Sequence, residues 1–98
     1  MVQKVYVQAT KFIREIVQAK KRPTHRDVEN FVEMLKSQGA PLNNLEYLEH
    51  ELDNYVKNKV IYFQKKMNSS KEEEYKKIRI LMKKFIEYYR DNINSKGH

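Results

Sequence analysis

Residues 42–67, LNNLEYLEHELDNYVKNKVIYFQKKM, hold no glycine or proline, and their apolar side chains return at helical spacing. Leu45, Leu48, Leu52, Val56, Val60, Phe63 and Met67 recur at steps of three and four, which sets them on one stripe of a 3.6-residue helix. The run predicts one helix of roughly 39 Å. A stripe of that length needs other helices to cover it, so it constrains the whole chain. Its charge also reverses along its axis: Glu46, Glu49, Glu51 and Asp53 occupy the first half, Lys57, Lys59, Lys65 and Lys66 the second.

The remaining segments supply the cover. Val2, Val5, Ala9, Phe12, Ile16 and Ala19, widened by Ile13 and Val17, predict a first helix over about 2–21, ended by Pro23. Thr24 with Asp27 three residues later reads as a capping box opening a second helix over about 25–38, with Val28, Phe31, Val32 and Leu35 as its buried stripe. Gly39 and Pro41 stop it. Asn43 with Glu46 is the expected cap of the third helix. Ser69 with Glu72, or Ser70 with Glu73, is the expected cap of a fourth over about 71–93, whose seam is Tyr75, Ile78, Met82, Phe85 and Tyr89. Short connections between four helices imply antiparallel neighbours. The expected fold is all-α: an up-down bundle of helices 2–21, 25–38, 42–67 and 71–93, forming one domain over 1–93 with a frayed tail at 94–98.

Mean hydropathy of −0.89 and a net charge of +7 raise disorder as an alternative. Leu, Ile, Val and Phe still make up 25 of 98 residues, and they are periodic rather than scattered. There are no cysteines, which excludes a disulfide framework and thiolate metal sites. No apolar run approaches the length of a membrane span, and the first residues lack the pattern of a signal peptide, so an intracellular, cytoplasmic protein is expected.

The third and fourth helices are longer than the first two. If consecutive ends meet, the second hairpin overshoots the first by roughly 15 to 20 Å, leaving an arm from about Val56 to Met82; a kink in the third helix that folds the excess back is the alternative. Residues 1–26 carry net +6, residues 27–53 net −6 and residues 54–98 net +7. Antiparallel packing then gathers Lys20, Lys21, Arg22, Arg26, Lys65, Lys66, Lys76, Lys77 and Arg79 towards one pole. That set is the expected contact for nucleic-acid phosphates, without sequence specificity, or for an acidic protein surface. Its binding would weaken steeply with salt. Tyr62, Tyr75, Tyr88 and Tyr89 lie among the basic residues, where they are available to stack on unpaired bases. The opposing reading is that lysines solvate the helices and tyrosines line a small core.

Val60, Ile61, Tyr62 and Phe63 on the third helix, with Ile80 and Leu81 on the fourth, exceed what a two-helix arm can bury. They mark an expected partner interface, in a homodimer or as a subunit of a complex; the alternative is a core that takes more of each helix. Ile80 points away from the seam of its helix and is the diagnostic residue.

Motifs for chemistry are lacking. Gly39 and Gly97 cannot make a phosphate-binding loop, and no Ser, Thr or Lys falls into a nucleophile pattern with His and an acid. His50 shares a face with Glu46 and Asp53, but a di-metal bundle site needs Glu-x-x-His pairs on two helices, so no metal or other cofactor is expected. The glycine-containing turn between the second and third helices suggests a helix-turn-helix, yet the would-be recognition helix opens on Glu46, Glu49 and Glu51, which phosphates repel. A membrane-surface role for the amphipathic first helix is a third possibility, though its seam suits packing in a bundle. The expected function is non-enzymatic binding. The competing expectation is a protein–protein module acting through the apolar arm.

Overall fold

In the computed structural model, which describes residues 2–96 and the side chains of residues 4–92, four helices follow one another: α1 (Val2–Ala19), α2 (His25–Ser37), α3 (Leu45–Lys65) and α4 (Ser69–Lys96). No strand occurs among the described residues. The all-α, four-helix bundle expected from periodicity is present, and α3 with α4 makes the longer hairpin. Gly97 and His98 lie outside the described residues, and α4 runs three residues past the expected end at Ile93.

Each joint has a local cause. At the start of α2, Asp27 N–H donates to Thr24 Oγ1 at 3.2 Å and Thr24 N–H to Asp27 Oδ2 at 2.8 Å, the predicted capping box. At its end, Ala40 N–H reaches Leu35 O and Gly39 N–H reaches Lys36 O, both at 3.0 Å. Gly39 sits at φ +74°, the left-handed position of a Schellman turn.

The other joints differ from expectation. α1 stops at Ala19 rather than residue 21, because Lys20 adopts φ +55° and turns the chain before Pro23 acts. α3 starts at Leu45 rather than 42: Asn44, not Asn43, accepts from Tyr47 N–H at 3.2 Å, and Asn44 N–H is itself held by Pro41 O. α3 ends at Lys65 in a second Schellman turn, with Asn68 N–H on Phe63 O, Met67 N–H on Gln64 O, and Met67 at φ +56°. Asn68 then caps α4 by accepting from Lys71 N–H at 3.2 Å, so Ser69 and Ser70 are helical residues and not caps. Met67 belongs to this turn and leaves the seam of α3; it is 91% exposed.

A left-handed non-glycine residue carries steric strain of about 1 kcal/mol. Met67→Gly removes that strain and loses no packing, so Tm should rise by about 4 °C or more in thermal melting followed by circular dichroism. A fall in Tm would show that the Met67 side chain holds the turn.

The core forms where the stripes converge. Val5, Ala9 and Ile13 of α1, Val28, Phe31 and Leu35 of α2, Leu48, Leu52 and Val56 of α3, and Tyr75, Ile78, Met82, Phe85 and Ile86 of α4 make one buried cluster. Phe31 is its hub, tilted against Phe12 at 5.5 Å and edge-on to Phe85 at 5.4 Å. α4 packs against all three other helices, whereas α2 and α3 make no close backbone approach although they are consecutive.

The long free arm is absent. Val56, Ile78 and Met82, expected within it, are buried in the common core. Tyr6 meets Tyr55 at 5.9 Å, and Gln18 Nε2 donates to Glu74 Oε2 at 3.4 Å. These contacts slide α1 towards the α3–α4 joint, so α4 projects only about five residues, roughly 7.5 Å, beyond Glu74. The remaining excess falls at the opposite end. The molecule measures 48 × 29 × 20 Å.

Candidate nucleic-acid interface

Two chain joints meet at one end of the bundle. The last turns of α1 are tied to the start of α4 through Gln18–Glu74 and through Arg14 Nη1, which donates to Tyr75 Oη at 3.3 Å. Tyr75 in turn stacks on Phe63, near the end of α3, at 5.4 Å and 26°. The α1–α2 and α3–α4 connections are therefore neighbours, and each carries cations. Lys20, Lys21, Arg22 and Arg26 stand exposed on the first; Lys65 and Lys66 stand exposed on the second. None of these six has a carboxylate partner among the described residues. The N-termini of α2 and α4 open at the same end. The lysines that close α1 and α3 also complement the negative ends of those helices.

The other three predicted cations stand differently. Lys77 is exposed and unpaired among the described residues, two turns into α4. Lys76 is exposed but bonded to Glu72 at 3.1 Å and lies 3.6 Å from Glu73. The Glu72 bond and the charges of both glutamates hold its ammonium above the usual lysine range. Arg79 grips Asp53 of α3 with two bonds, one of them Nη2 to Oδ2 at 3.0 Å. Lys76 and Arg79 thus belong to a groove of about 790 Å³ between α3 and α4, floored by Leu52, Val56, Met82 and Ile86 and rimmed by charge. Arg90 Nη2 to Glu49 Oε2, at 2.9 Å, is the second bridge across it.

The Arg79 bond, opposed by partial burial, holds the Asp53 carboxyl below its ordinary range. A carboxylate whose pKa is lower folded than unfolded adds stability above the ordinary carboxylate range and loses it as pH falls through the folded value. Both side chains are more than one-third exposed, so the effect at neutral pH is about 0.5 kcal/mol. Asp53→Asn should lower stability by that amount at pH 7, with the difference fading as pH drops below about 4, in urea titrations at each pH.

The expected partner face is split. Val60, Phe63 and Leu81 are half-buried against the core. Ile61, Tyr62 and Ile80 remain 37%, 53% and 59% exposed. Ile61 and Tyr62 are adjacent, about 100° apart around α3, so they do not form one patch. The core takes more of each helix, and Ile80 is left on the groove rim. Among the described residues no group of three or more His, Asp or Glu side chains is placed to hold a metal. His50 Nε2 lies 3.1 Å from Asn54 Nδ2, and Asp53 is taken by Arg79.

Sequence reading passed over one pattern. Tyr55, Lys59, Tyr62 and Lys66 are spaced 4, 3, 4 and share a face of α3. The Lys59 ammonium lies 5.4 Å from the Tyr55 ring centroid, and Lys66 lies 5.7 Å from that of Tyr62. The spacing was the available signal, obscured because Val60 and Phe63 of the apolar stripe interleave with it.

Comparison of the chain with family models, curated proteins and solved structures finds no match. No helix among the described residues is long and apolar enough to cross a membrane. Fold and surface together define a small four-helix bundle with one strongly cationic end.

Proposed function

We propose that this chain is a non-enzymatic, cytoplasmic binding protein whose basic end grips the phosphate backbone of nucleic acid without reading sequence. It would work without a cofactor, as a homodimer or accessory subunit. One observation supports this above the rest: Lys20, Lys21, Arg22, Arg26, Lys65 and Lys66, drawn from two distant chain segments, stand exposed at one end, and none of them forms an ion pair with a carboxylate among the described residues. Concentrated, unpaired positive charge attracts a polyanion and releases its counterions on contact. An acidic protein surface satisfies the same charge but lacks the counterion layer that makes the nucleic-acid interaction steeply salt-dependent.

The test is gel retardation across a salt titration with duplex DNA, single-stranded DNA and RNA. With about four phosphate contacts, log K against log salt should fall with a slope near −3.6 for duplex. No retardation of any of these at low salt overturns the proposal.

The 59% exposure of Ile80 favours a second reading: a protein–protein module acting through the α3–α4 hairpin, with the lysines serving solubility. Under it, Ile80→Asp disrupts association seen by sedimentation and leaves the gel assay blank for wild type and variant alike.

A further inference from the structure

Tyrosines near the basic end differ in what they offer a ligand. Tyr75 is 7% exposed, sealed between Phe63 and the core, and Tyr89 is half-buried. Tyr88 is exposed but lies more than four turns into α4. Tyr62 alone among the described tyrosines is both exposed, at 53%, and on the turn that leads into the cationic joint. Its ring meets Phe63 edge-to-face at 5.1 Å and 81°, and Phe63 rests on Tyr75. The core thus holds the ring from one side while half of it faces solvent. Lys66 stands over it, and Tyr55 with Lys59 continues the alternation one face-repeat below.

We infer that the Tyr55–Lys59–Tyr62–Lys66 stripe makes this a single-strand binder, with Tyr62 stacking an unpaired base and Lys59 and Lys66 taking the flanking phosphates. The inference rests on the nucleic-acid reading above and narrows its ligand. Bases in a duplex already stack on their neighbours and show only their edges in the grooves. A single strand can present a base face to an aromatic ring held in place. The face of the Tyr62 ring is covered only by the Lys66 ammonium, 5.7 Å from its centroid; when a base takes its place, the ammonium moves onto the phosphate beside it. A tyrosine platform is indifferent to base identity, as every base has a π-face.

The experiment is fluorescence anisotropy of labelled oligothymidylate and of a duplex of equal length, each titrated with the chain over a range of salt. Wild type should bind the single strand more tightly. Tyr62→Ala should weaken that binding about tenfold, with the salt slope unchanged because no charge is lost, and Tyr62→Phe should restore it. Lys59→Gln combined with Lys66→Gln should lower the slope by about 1.4. Equal affinity for single strand and duplex, or Tyr62→Ala binding like wild type, overturns this inference and leaves the phosphate-binding proposal standing. Binding of neither oligonucleotide at low salt overturns both.

Discussion

Changing Lys20, Lys21, Lys65 and Lys66 together to glutamate should abolish nucleic-acid binding, with a loss above about a hundredfold at low salt. The size follows from the electrostatics. Four contacts with a slope near −3.6 already cost about 150-fold in affinity over a fourfold rise in salt. Reversal removes those contacts and adds four repelling charges. The variant carries its own structural cost, because acids at the ends of α1 and α3 oppose the helix dipoles by about 0.3–1 kcal/mol each. The corresponding glutamine variant separates the two effects: it should stay folded by circular dichroism and lose most of its salt slope. Lys76→Gln is the contrast. Its ammonium is held by Glu72 and Glu73, so affinity should change by less than about twofold. Equal losses from Lys76→Gln and from the four-lysine change would move the site off the end of the bundle and onto the α3–α4 groove.

The second large effect is on stability. Phe31 is fully buried and joins Phe12 of α1 to Phe85 of α4. Phe31→Ala removes a ring that three helices share and leaves a cavity that none of them can fill alone. The expected cost is about 3–5 kcal/mol. A domain of this size has a total stability of about 5–15 kcal/mol, so the variant should melt some 15 °C lower or more, or be unfolded at 37 °C. The urea midpoint should fall with little change in slope. Ile80→Ala, on the groove rim, should stay within about 0.5 kcal/mol of wild type in the same assay. A Phe31→Ala protein that melts like wild type would mean that α2 is not docked as described.

Helix existence, order and the buried stripe of α2 were legible because each rests on local periodicity and on capping chemistry such as Thr24–Asp27. Less legible were the exact ends. Lys20 and Met67 take left-handed conformations that their side chains do not advertise, Asn44 stands one residue after the cap that pattern alone suggested, and Asn68 stands before Ser69 and Ser70, the caps suggested for α4. The greater length of the α3–α4 hairpin was legible from the helix lengths, but where its excess falls was not. That depends on the register of α1, set by Tyr6–Tyr55 and Gln18–Glu74, which are contacts between residues far apart in sequence. Of the nine cations assigned to one pole, the six at the joints were legible from connectivity. Arg79 was not, because its partner Asp53 became apparent only once α4 had a defined rotation against α3, whereas the partners of Lys76, Glu72 and Glu73, stand one turn away on its own helix.

α4, which packs against all three other helices, is also the fourth to be synthesised. On a ribosome, α1 can pair with α2 and with α3 as they emerge, but α2 and α3 do not pack along one another, and the side of the core that α4 covers stays open until α4 arrives. Until the residues of α4 have cleared the exit tunnel, Phe31 and Leu52 have only transient shelter. The nascent three-helix stage is thus the moment at which this chain is most exposed to chaperones and to aggregation.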